Sequence, residues 1–123
     1  MEVLLDTNFI ISCLLKKIDF VDEFVKLGLV PVLPREVLEE LKDLKKDSKM
    51  SRKEREAIEI AFQIFEQRKL KKIKIGGSNV DDGLIKKGRE GIYIATLDNE
   101  IKRKVPNKIV ILSARKTLGL ERD

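Results

Sequence analysis

Short apolar runs alternate along this chain with longer stretches in which apolar residues return every three or four positions. The runs are bounded by turn-forming residues and predict strands at about Val3–Leu5, Leu29–Leu33, Lys72–Ile75, Gly91–Leu97 and Lys108–Leu112. Helical patterns fill the intervals. The strongest covers Ser51–Lys69: it opens on a capping box, Ser51 with Glu54, and lines Ile58, Ala61, Phe62 and Phe65 along one face. Another starts at Pro34, a residue suited to a first helical turn, and continues to about Lys46. Strands separated by helix-length crossovers pair in parallel and bury both faces of the sheet, so the pattern predicts a three-layer α/β domain. No repeat or linker divides residues 1–123, which read as one domain. Lys45–Arg52 is a polar connection, Gly76-Gly77-Ser78-Asn79 a loop, and the tail after Leu112 a last helical turn or an arm.

Two of the predicted strands run straight into a carboxylate. Asp6 follows Val3-Leu4-Leu5, and Asp98 follows Ile92–Leu97. In open α/β sheets ligands bind beyond the carboxyl ends of the strands, so both aspartates line one crevice if their strands are neighbours. The helix from Pro34 adds Glu36, Glu39, Glu40 and Asp43. At about 100° per residue, Glu40 falls nearest the apolar stripe of Val37, Leu41 and Leu44 and is the acid expected to face inward. In Val80-Asp81-Asp82-Gly83-Leu84-Ile85, Asp81 shares a face with Leu84, Ile85 and Gly88, and Asp82 lies about a quarter turn away. Asp81 is the better ligand and Asp82 a close second. Each acid taken alone also fits a helix cap or an ordinary edge-of-stripe position.

Composition narrows the chemistry. Histidine is absent and Cys13 is the only cysteine, which excludes Cys/His zinc sites, disulfides within the chain and Ser/His or Cys/His nucleophilic pairs. Cys13 lies among Ile10, Ile11, Leu14 and Leu15 and reads as a small buried hydrophobe. Converging carboxylates without cations repel one another, and a site of oxygen ligands selects a hard ion, Mg2+ or Mn2+. The chain carries 26 Lys and Arg against 21 Asp and Glu, a net charge of +5, which suits a polyanionic partner. Residues 1–50 hold 8 basic and 10 acidic side chains, whereas residues 51–123 hold 18 and 11, so the excess positive charge lies in the second part. A hard-metal site beside a basic surface fits phosphodiester hydrolysis on nucleic acid, with two ions clamping the scissile phosphate and no protein nucleophile. The phosphate-contacting candidates are Lys71, Lys72, Lys86, Lys87, Arg89, Lys102, Arg103 and Lys104, within basic segments that begin at Arg68 and Lys69. Each alone also fits a solvated charged face. Tryptophan is absent and Tyr93 is the only tyrosine, so the expectation is backbone-dominated, salt-dependent binding rather than base stacking. No apolar run has the length of a membrane span, and the N-terminus lacks a basic signal-peptide start, which together point to the cytoplasm.

Four segments in order resemble the motifs of the PIN-domain nucleases, over almost the whole chain. Leu4-Leu5-Asp6-Thr7-Asn8 is similar to the first motif, Val37-Leu38-Glu39-Glu40-Leu41 to the second and Val80–Ile85 to the third. Ile94–Lys104 resembles the fourth in the form found in members that process ribosomal RNA. The resemblance implies a five-stranded parallel sheet flanked by helices and a Mg2+- or Mn2+-dependent endoribonuclease site built from Asp6, Glu40, Asp81 and Asp98. Asp81 and Asp82 are both open as the third ligand, and Asn8 and Thr96 match supporting positions. Small bare members are often toxins of the virulence-associated protein C type, commonly dimeric. That comparison implies an antitoxin protein and a homodimer as partners, whereas the rRNA-processing comparison implies ribosome-assembly factors; RNA is the substrate in both. The competing reading is a non-catalytic RNA-binding or ribosome-assembly module on the same fold. A phosphotransfer domain with Asp6 as nucleophile fits less well, because Asn8 stands where such enzymes carry a second aspartate.

Overall fold

The computed structural model describes residues 1–122. Its elements, in chain order, are β1 (Glu2–Leu5), α1 (Thr7–Leu15), α2 (Phe20–Lys26), β2 (Val30–Pro34), α3 (Arg35–Lys46), α4 (Arg52–Gln67), β3 (Lys71–Ile73), α5 (Val80–Arg89), β4 (Tyr93–Ala95), α6 (Asn99–Lys104), β5 (Asn107–Leu112) and β6 (Thr117–Arg122). The sheet has six strands in the order β3-β2-β1-β4-β5-β6. The first five strands of the chain run parallel, and β6 pairs antiparallel with β5. The three-layer α/β expectation is met, but the count of five strands is corrected to six. The tail after Leu112 begins with the expected helical turn, but the chain then continues as a strand rather than ending there or as a free arm. A 3-10 turn at Ser113–Arg115 ends on Lys116 in the left-handed region (φ 53°), which reverses the chain so that Leu118 reaches the core.

Alternation along the strands assigns the two faces. Val3, Leu5, Leu33, Tyr93, Ala95 and Ile109 point into a larger core with Phe9, Phe20, Phe24, Val37, Leu41, Ile58 and Phe65, so α1 to α4 cover that side. Leu4, Val32 and Ile94 point the other way and meet Leu84, Ile101 and Val105, from α5, α6 and the residue that follows α6. The capping box of α4 forms as the sequence predicts: Ser51 Oγ accepts the Glu54 N–H while Glu54 accepts the Ser51 N–H, each at 3.1 Å. Cys13 is fully buried and burial pushes its thiol up to about 12, so it carries no thiolate chemistry at neutral pH. Among the described residues no helix is long and apolar enough to cross a membrane.

Gly88 lets Val105 pack closely against α5. A Cβ built at position 88 would stand 2.3 Å from Val105 Cγ1 and 3.0 Å from Ile94 Cγ1. Gly88→Ala therefore overpacks this smaller core and is expected to cost about 1–3 kcal/mol, read as a lower urea midpoint with an unchanged slope.

Candidate active site at the sheet switch point

Strand order reverses at β1. From β1 the chain moves outward through β2 to β3 and then returns to place β4 on the other side of β1. The crevice at such a reversal, outside the carboxyl ends of the strands, is the general ligand position in open α/β sheets. Asp6 and Asp98 stand there. The pairing of Leu4 with Ile94 and Leu5 with Ala95 continues through the Asp6 N–H, which donates to the Ala95 carbonyl at 2.9 Å. The next pair in that register is Asp6 with Thr96.

Asp6 is the N-cap of α1 and is 9% exposed, one of the few buried polar side chains. Its Oδ1 accepts the Thr7 N–H at 2.9 Å, and its Oδ2 accepts the Thr96 hydroxyl at 2.7 Å. The same Thr96 oxygen accepts the Asp98 N–H at 3.1 Å, so one threonine holds both aspartates in place. Asp98 caps α6, its Oδ1 accepting the Glu100 N–H at 2.8 Å. Burial is the largest influence on the Asp6 carboxyl and raises its pKa above the ordinary value. The hydrogen bonds from Thr96 and Thr7 act against that rise, and the charges of Glu40 and Asp81 add to it. Glu40 on α3 and Asp81 on α5 thus face Asp6 closely enough for their charges to be felt. Glu40 does not turn inward as its helical angle predicts. It is exposed, because the stripe edge on which it lies borders the open crevice rather than the core.

Asp82 has another use. Its Oδ2 accepts the Ser78 N–H at 3.2 Å, and its own N–H goes to Asn79 Oδ1 at 2.8 Å, which folds the Gly76–Asn79 loop onto the start of α5. Asn8, the second residue of α1, is exposed. The basic candidates are not gathered at the crevice. Both α5 and α6 run from the carboxyl ends of the strands back towards the amino ends. Lys86, Lys87 and Arg89 on α5, and Lys102, Arg103 and Lys104 on α6, therefore recede from the acids along those helices. On the edge strand β3, Lys71 pairs with Glu2, and Lys72 lines a groove with Leu38, Lys42 and Phe62. Arg103 and Lys104 both turn to Glu100. Lys102, one turn beyond Asp98, lines a cavity of about 480 Å3 with Asn99, Arg103, Lys108 and Glu121. Two cations at the acidic end escape a reading of the basic segments alone. Arg35 follows β2 directly and Lys74 follows β3, the same position that Asp6 takes after β1.

The donor set fits a hard divalent ion that keeps much of its water. All the ligands are oxygens, Asp6 is buried with no Lys or Arg paired to it among the described residues, and the buried Thr7 hydroxyl has no hydrogen-bond partner. Among the described residues no three acidic groups stand together closely enough to hold a metal ion between them, so an ion here would rest on at most two carboxylates and water. Magnesium is commonly held by one or two carboxylates plus water, so an open arrangement suits it.

A search of curated proteins finds no match. Among solved structures, one described as the PIN domain endonuclease Utp24 superposes with a TM-score of 0.74 at 24% identity, over 99% of this chain and 92% of that one. A chain of the VapBC2 complex from Rickettsia felis, bound to a DNA fragment from its promoter, gives 0.50 at 18% identity, over 86% and 94%. At these identities the likeness is one of fold. The family is shown by the sequence itself: residues 3–116 match the profile described as a PIN-like domain, and the chain belongs to that family.

Proposed function

We propose that the chain is a metal-dependent endoribonuclease whose active site is the acidic crevice at the switch point, where water and carboxylates drawn from Asp6, Glu40, Asp81 and Asp98 would hold Mg2+ or Mn2+. The observation that carries this reading is the buried Asp6 carboxylate, fixed by Thr96 and Thr7 and faced by Glu40 and Asp81 with no cation paired to it among the described residues. When bound, the metal supplies Lewis acidity and a water that ionises near neutral pH. The protein's own part is positional. Thr96 fixes the Asp6 carboxylate by donating its hydroxyl to Oδ2, and the same hydroxyl oxygen, by accepting the Asp98 N–H, sets the start of α6. The RNA backbone would meet Arg35 and Lys74, which directly follow β2 and β3 at the carboxyl ends of the strands. Tyr93 does not serve base stacking: it is buried, and its hydroxyl bonds Arg122. The shared fold with a structure described as an endonuclease supports the hydrolytic reading. The open spacing of the acids is what favours the second reading, a non-catalytic RNA-binding module.

Two outcomes test this. Asp6→Asn is expected to lower Mg2+- or Mn2+-dependent RNA cleavage at least ~100-fold, and equal cleavage by both proteins would refute the assignment. Stability should move the other way. A carboxyl whose folded pKa is raised stabilises the fold below its unfolded value and loses that contribution as pH rises through the folded one, so ionised Asp6 is a destabilising group at neutral pH. Without divalent ions at pH 7, Asp6→Asn should melt a few degrees above the wild type, and the gap should close in acid. Mn2+ should raise the wild-type melting temperature and leave the variant's unchanged.

The rim cations give a third outcome. Replacing Arg35 and Lys74 together by alanine should raise KM for RNA roughly tenfold at low salt with little change in kcat, and should flatten the salt dependence of binding, measured by fluorescence anisotropy.

A further inference from the structure

Glu36 lies in the first turn of α3, one turn before Glu40, and its carboxylate leaves its own helix to reach another element. Ile75 N–H donates to Oε1 and Oε2 at 3.2 and 3.1 Å, and Gly76 N–H donates to Oε2 at 3.0 Å. Partial burial would raise this carboxyl, but bonds from its own N–H and those of Gly76 and Ile75, with the nearby charge of Lys74, outweigh it and hold the pKa below the ordinary range.

The clamped segment leads directly into the part of the site that carries Asp81. Beyond Gly76 the backbone packs closely onto the first turn of α5. A Cβ at Gly83 would lie 2.5 Å from the Gly76 carbonyl, and one at Gly77 would lie 2.8 Å from the Gly83 nitrogen. Gly76 and Gly77 also take positive φ, 72° and 84°, which a side chain there would resist. Asp82 closes the other side of the loop through Ser78. Glu36 and Asp82 therefore hold one short loop from both ends, and Asp81 is the residue next to the second of them. Glu40 is about 6 Å along α3 from Glu36.

We propose that Glu36 is a positioning residue that locks α3 to the start of α5 and so sets Asp81 against Glu40 and Asp6. It contacts neither metal nor substrate in this role, and the proposal rests on the acidic crevice being the metal site. Oxygen ligands carried by separate elements bind an ion well only when those elements keep their spacing, and partners behind the ligands are commonly worth roughly 10- to 100-fold in metal affinity.

The test is Mn2+ titration calorimetry on the full chain, with amide hydrogen exchange on the same samples. Glu36→Gln keeps the size of the side chain but removes the charge and puts an N–H2 group where acceptors are needed. It should weaken Mn2+ binding roughly tenfold and speed exchange at Ile75, Gly76 and the first turn of α5, with the melting temperature within a few degrees of wild type. Asp81→Asn added to it should cost little more than either change alone, whereas Asp98→Asn should add its full effect. Glu39→Gln, on the same helix and paired with exposed Lys42, should match the wild type. Wild-type affinity in Glu36→Gln, or full additivity with Asp81→Asn, overturns the positioning role alone. Absence of Mn2+ binding by the wild type overturns the site reading and the proposal with it.

Discussion

The hydrogen bond from Thr96 to Asp6 joins the two strands on which everything else at the crevice depends. A carboxylate at the end of a buried strand is costly unless its charge is met. Here the threonine hydroxyl and one backbone N–H offset part of that cost, and the crevice is left with an unneutralised negative charge. The rest of the arrangement follows from that deficit. Glu40 and Asp81, carried by helices on opposite faces of the sheet, add to the negative charge that Asp6 experiences.

The fold makes this possible by topology. The reversal of strand order puts β1 beside β4, so two residues separated by 90 positions in the chain become hydrogen-bonded neighbours. The helices then leave the crevice on either side and carry their basic ends away from it. This separation explains why the positive surface and the acidic centre coexist without pairing off: the α6 cations Arg103 and Lys104 turn to Glu100 of their own helix, and the crevice acids are left to one another.

Two loops show how backbone freedom serves the site. The Gly76–Asn79 turn is bound by Glu36 from α3 and by Asp82 from α5, so a glycine segment with wide conformational freedom becomes a fixed spacer. At the far edge, Lys116 takes a left-handed conformation and the chain returns as β6, where the Leu118 N–H donates to Glu23 of α2. That contact ties down an edge strand whose pairing groups would otherwise be open.

The helices, the five parallel strands and the positions of Asp6 and Asp98 are legible in the residues, because each depends on local periodicity and on a polar residue ending an apolar run. Asp81 and Asp82 are not separable there: a quarter turn of helix distinguishes them, but only the folded loop shows Asp82 spent on Ser78. The helical angle turns Glu40 inward, yet an angle gives direction relative to a stripe and not what lies beyond its edge. Arg35, Lys74 and Glu36 gain their places from neighbours distant in the chain, and β6 from a turn whose conformation no residue pattern announces. Local patterning thus suffices to say which segments become strands and helices, and that acids end two of the strands. How the acids stand around the strand ends depends on the folded molecule, because strand order and side-chain partners come from long-range packing that no local pattern encodes.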